Sequence, residues 1–122
     1  MTLSLVFAAL SALIHVAFFV LESFLFTKPP GRKIFGTTEA DAETMKFLAF
    51  NQGFYNLFLA VGCFVGIALS VGGRPEGRAL VLFTCASMVA AAGILATGGK
   101  KLLRGVVMQG APPAVAIVTS LL

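Results

Sequence analysis

Apolar positions fill four long stretches, residues 3–26, 46–71, 79–97 and 102–122, while polar and charged positions gather between them. A helix needs about 20 largely apolar residues to cross a hydrocarbon core of ~30 Å. The pattern therefore predicts four spans joined by one connection of about 20 residues and two short ones. The first stretch carries only His15 and Glu22 as ionisable groups and stops at Thr27-Lys28-Pro29-Pro30-Gly31, where two prolines and a glycine are expected to end a helix. It lacks the basic leader and small-residue cleavage pattern of a signal peptide and is expected to stay in the mature chain.

The helix of the second stretch is expected to start ahead of its apolar run. Thr38 with Asp41 three residues on resembles a capping arrangement, and Glu39 and Glu43 suit the positive end of a helix. From Glu39 to Ser70 such a helix measures roughly 48 Å, longer than a bilayer core, so its first turns should stand in water or lie along the interface. The third stretch is bounded by Arg78 and by Gly98-Gly99-Lys100-Lys101, and the fourth is expected to be interrupted at Pro112-Pro113.

Composition supports the same architecture. Hydrophobic residues make up 58% of the chain and charged residues 11%, against roughly 25% charged in soluble domains. The expected fold is all-α, one integral membrane domain over residues 1–122, built as an antiparallel up-down four-helix bundle. The formal net charge is +4, but the basic residues are scattered through connections, which argues against nucleic-acid binding. Their asymmetry bears instead on topology. Lys28, Arg32, Lys33, Lys46, Lys100, Lys101 and Arg104 lie in or beside the first and third connections, against Arg74 and Arg78 in the second. That places both termini outside.

Polar side chains inside spans are expensive in lipid and must find partners. His15 and Glu22 are seven residues apart, two turns on one face of a helix; Gln52 and Asn56 are four apart, and Asn51 and Tyr55 form a neighbouring pair. Counting from the first connection, Glu22 should sit level with Asn51 and Gln52, and His15 level with Asn56. Gln109 falls between these heights, beside the Met108 and Gln109 carbonyls that the two prolines deprive of amide donors. The seven residues His15, Glu22, Asn51, Gln52, Tyr55, Asn56 and Gln109 are therefore expected to converge in one half of the bilayer.

Several segments together resemble a known family. They are His15 to Glu22 followed by Phe24-Leu25, Lys33-Ile34-Phe35-Gly36, Asn51-Gln52-Gly53-Phe54-Tyr55-Asn56 with Phe58-Leu59-Ala60, Ala92-Gly93-Ile94, and Gln109-Gly110 with Pro113-Ala114. The resemblance is to the domain of unknown function 1304 family, and it covers nearly the whole chain. Phe26 stands where a tryptophan would be expected. The resemblance implies a small four-helix membrane protein, mostly bacterial and so of the inner membrane, and it implies no activity.

The leading functional expectation is a membrane protein that binds or transports a small molecule, proton or ion through this polar cavity, Glu22 supplying a titratable group, His15 a proton relay and the amides orientation. The alternatives are an intramembrane acid-base enzyme acting on a lipid-soluble substrate, and a structural or assembly subunit whose polar cluster fixes helix register. One histidine and two cysteines without metal-site spacing suggest no metal or haem, and no cofactor is expected. Nucleophile-elbow, phosphate-loop and paired-carboxylate patterns are missing from the sequence. Gly62 and Gly66 suit close helix packing, inside the chain or in a homodimer, and Cys63 and Cys85 should lie at similar depth on adjacent helices. Phe7, Phe18, Phe19, Phe24, Phe54, Phe58 and Phe64 read as packing or lipid-facing residues.

Overall fold

The computed structural model describes residues 1–122 and is all-helical apart from turns: α1 (Leu3–Ser23), α2 (Pro29–Phe35), α3 (Glu39–Val71), α4 (Pro75–Ala96), a 3-10 turn at Lys100–Leu102 and α5 (Leu103–Leu121). The four segments Leu3–Ser23, Glu39–Val71, Pro75–Ala96 and Lys100–Leu121 are long and apolar enough to cross a membrane. The all-α, four-span architecture expected from the pattern is thus present.

Three local outcomes differ from expectation. The first helix ends at Ser23 rather than Phe26, because Phe24 and Leu25 both donate their amides to the Val20 carbonyl in a widened last turn. The prolines then begin a helix instead of merely stopping one. Pro29 and Pro30 occupy the opening positions of α2, where a missing N–H costs nothing, and Gly36 closes it in the left-handed region at φ 64°. Finally, α5 runs unbroken through Pro112 and Pro113, so the fourth span is not a discontinuous helix. Proline ring chemistry still leaves the Met108 and Gln109 carbonyls without their usual amide donors, but the neighbouring bonds hold the helix together.

The start of α3 follows the sequence closely. The Thr38 hydroxyl accepts the Asp41 amide at 3.1 Å, and Glu39 and Asp41 lie in the first turn. At 33 residues, α3 is about 50 Å long.

The chain divides into two compact units. One comprises Met1–Ile14 and Leu59–Leu122, the other His15–Phe58. In the first unit the core is built from small residues, including Ala8, Ala60, Cys63, Cys85, Ala92 and Ala116, around the fully buried Met88. Small residues let backbones approach, the main source of attraction where lipid removes the hydrophobic drive between helices. A side chain on Gly77 would strike the Gly66 carbonyl oxygen and the Ser70 amide, and one on Gly66 would meet the Val81 backbone at 2.9 Å. Gly62 likewise abuts Thr84. This glycine surface of α3 is therefore occupied by α4 within the chain, and it is not the open dimer face that the sequence allowed. Polar anchors add to the packing: Ser4 donates to the Ala116 carbonyl at 2.7 Å and Arg78 to the Ser120 carbonyl at 3.2 Å. Cys63 and Cys85 are both buried, free thiols.

The second unit contains the end of α1, α2 and the first half of α3. Phe26, Ala42 and Ala49 form its core, with Phe35 packed against them. Gly31 is buried so close to the Leu25 carbonyl that no side chain fits there, which folds α2 back onto the end of α1.

Candidate functional site

The polar residues of the second unit are positioned by two stripes. On α1, Ser4, Ala8, Ser11 and His15 are buried at alternating spacings of four and three, and Glu22 lies two turns beyond His15. On α3 the buried positions between 49 and 63 are Ala49, Gly53, Asn56, Ala60 and Cys63, again four and three apart. Gly53 sets the approach within this unit. Its vacant side-chain position is taken by the Ser23 hydroxyl, with the Phe19 carbonyl at 3.1 Å, and Ser23 donates to the Phe50 carbonyl at 2.9 Å.

This approach brings Asn56 to Glu22. The Asn56 amide donates to Glu22 Oε1 at 2.8 Å; Asn56 is buried and Glu22 half-buried. The carboxyl thus pairs with the residue expected one turn deeper, not with Asn51 or Gln52. Those two and Tyr55 are exposed on the outer side of α3. Gln52 and Asn56 consequently do not present a common buried face, as their spacing had suggested. His15 is fully buried and stands edge-on to Phe18 at a ring separation of 5.6 Å. Gln109 is half-buried on α5, in the other unit.

Beside Glu22 lies an open cavity of about 280 Å³, bounded by Glu22, Ser23 and Thr27 on one side and by Lys46, Phe47 and Phe50 on the other, with Phe24 and Phe26 completing it. Its aromatic wall continues into a ladder of rings. Phe24 meets Phe50 at 6.5 Å and Phe19 at 5.3 Å, Phe19 meets Phe54 at 5.0 Å, and all three contacts are edge-to-face. Such pairs contribute about 0.5–1.5 kcal/mol each beyond area burial and hold the rings in place. Phe19, Phe24 and Phe54, expected only as packing or lipid-facing residues, thus belong to an ordered set of ring contacts. The missed signal was the recurrence of rings at Phe50, Phe54 and Phe58, one face of α3 next to the Gly53 stripe.

Lys46, at the cavity rim, is bound to Glu43 one turn earlier on the same helix. Both side chains are largely exposed, so the pair contributes only about 0.2–1 kcal/mol and exchanges readily. The carboxyl of Glu22 is different in kind. It is held by a buried amide, and a carboxylate accepts at several lone-pair sites, so the Asn56 bond leaves acceptor capacity for a ligand.

Spanning-length apolar helices and a polar pair set among them define a helical protein compatible with life in a membrane. More specifically, the chain belongs to the family described as "Protein of unknown function (DUF1304)", which matches residues 9–121. No curated protein and no solved structure matches the chain.

Proposed function

We propose that this is an integral membrane protein, of a bacterial inner membrane, that binds a small amphipathic molecule at Glu22 and Asn56 as the recognition step of transport. The observation that carries the proposal is the Glu22 carboxyl, held by the buried Asn56 amide, on the wall of a cavity that it shares with four phenyl rings and with Ser23, Thr27 and Lys46. Ligand sites combine apolar walls with a few fixed polar groups in this way. The excess of Lys and Arg around the first and third connections supports an orientation with both termini outside.

The competing readings have less behind them. Acid-base catalysis by His15 and Glu22 requires both groups at one substrate atom, yet seven residues of one helix separate them by roughly 10 Å along its axis. A purely structural role predicts a closed, interdigitated polar cluster, whereas Glu22 opens onto a cavity.

Native mass spectrometry of the protein released from membranes tests the proposal. The wild type should carry a small-molecule adduct that Glu22→Gln and Asn56→Ala lose. An adduct pattern identical in all three proteins, or none in any, would overturn it.

A further inference from the structure

The cavity beside Glu22 has a definite electrostatic character. Four phenyl rings, Phe24, Phe26, Phe47 and Phe50, line it, and aromatic faces carry the negative end of the ring quadrupole. The polar atoms beside them are mostly acceptors. Glu22 retains lone pairs beyond the one that Asn56 uses, and Ser23 directs its proton to the Phe50 carbonyl, leaving its oxygen to accept. The single cation at the rim, Lys46, has its charge balanced by Glu43 one turn away.

Charge distribution along the sequence points the same way. Residues 15–58 contain Lys28, Arg32, Lys33 and Lys46 against Glu22, Glu39, Asp41 and Glu43, so this unit is formally neutral. The protein's net charge of +4 arises from the other unit, where Arg74, Arg78, Lys100, Lys101 and Arg104 face only Glu76 in the count. A positively charged guest meets no net repulsion here.

We infer that the cavity takes the head of a small lipophilic organic cation, an alkylammonium, with the carboxyl of Glu22 as counter-ion and the phenyl rings as a cation-π wall. This rests on the reading of the cavity as a ligand site. Its volume of about 280 Å³ is roughly nine water volumes, enough for a head group of several heavy atoms but not for a whole lipid. The tail of such a guest would leave through the open side, past the exposed ring of Phe47.

The test is calorimetric titration of the full chain in nanodiscs, corrected for empty nanodiscs, with three probes of equal chain length: octyltrimethylammonium, octanol and octyl sulfate. Octyltrimethylammonium should bind saturably, and Glu22→Gln should weaken it on the order of tenfold, as expected for loss of a charge-assisted contact. Phe50→Leu, which keeps an apolar side chain and does not depend on the buried polar pair for folding, should weaken it several-fold through loss of one cation-π face. If octanol or octyl sulfate binds saturably and at least as tightly as the cation, the ligand site stands and its cation preference is overturned. If none of the three saturates in the wild type, the binding site itself is overturned.

Discussion

Asn56 donates its amide to Glu22 across 34 positions of sequence, joining a carboxamide on α3 to a carboxyl on α1 at 2.8 Å. Removing one partner leaves the other without its bond in a half-buried place, and such losses cost about 1–3 kcal/mol. Asn56→Ala should therefore destabilise the protein by that amount. Asn56→Asp should cost more, because it sets two carboxyls together with no donor amide between them. Glu22→Gln should be the mildest, since a carboxamide oxygen accepts the same bond. Thermal unfolding in detergent should rank Asn56→Asp as the most destabilised, Asn56→Ala next and Glu22→Gln least, and a neutral Asn56→Asp would count against the pair.

Gly53 controls whether that bond can form. Its missing side chain is replaced by the Ser23 hydroxyl and the Phe19 carbonyl, the latter a backbone atom at 3.1 Å that cannot rotate away. Gly53→Val should cost about 1–3 kcal/mol through overpacking and weaken ligand binding by displacing α1 from Asn56. Adding Ser23→Ala to Gly53→Ala should recover part of the stability, because it removes the nearer obstacle. Full additivity of the two single changes in a double-mutant cycle would show that the contact is not made.

The sequence made the spans and the cap of α3 legible because both are local. Apolar length and a Thr38 hydroxyl three residues ahead of the Asp41 amide that donates to it need no knowledge of the partner helix. Pairing across helices was harder. Counting positions from the ends of apolar runs placed Glu22 beside Asn51 and Gln52, but α1 ends three residues before its apolar run does, and Asn56 is the residue it meets. Polarity was also a poor guide to which side of α3 faces inward. The smaller side chains decide that: Ala49, Gly53, Ala60 and Cys63 make a stripe with alternating four- and three-residue spacing, and Asn56 falls on it while Gln52 does not. A search for small residues at that spacing would have separated the two amides. The Pro29-Pro30 pair carries a similar lesson, since proline ends one helix and opens the next with equal ease.

At the start of α3, Thr38 accepts the Asp41 amide at 3.1 Å. Thr38→Ala should destabilise this first turn by about 0.5–2 kcal/mol. The effect should stay local, because the turns beyond are held by their own ladder and by Ala42 and Ala49 in the core. Hydrogen exchange should quicken at the Asp41 amide and its neighbours while the amides around Asn56 keep their protection. Faster exchange throughout α3 would mean that the cap supports more than its own turn.

In the other unit, Cys63 and Cys85 are free and fully buried, which makes them reporters of helix packing. A maleimide dye should leave both unlabelled in the folded protein and label both as it melts. Gly77→Val places a side chain against the Gly66 carbonyl oxygen, 2.6 Å from where its Cβ would lie, and against the Ser70 amide. Backbone atoms on both sides cannot turn aside, so α3 and α4 must separate at a cost of about 1–3 kcal/mol. The labelling midpoint should fall by several degrees. Gly93 offers the matched control, because nothing lies within 4 Å of the position its side chain would take. There the only effect is helix propensity, and Gly93→Ala should leave the midpoint unchanged or raise it slightly, as expected for about 0.5–1 kcal/mol of reduced backbone entropy loss. Equal midpoints for the two variants would refute the close crossing of α3 and α4 at Gly66 and Gly77.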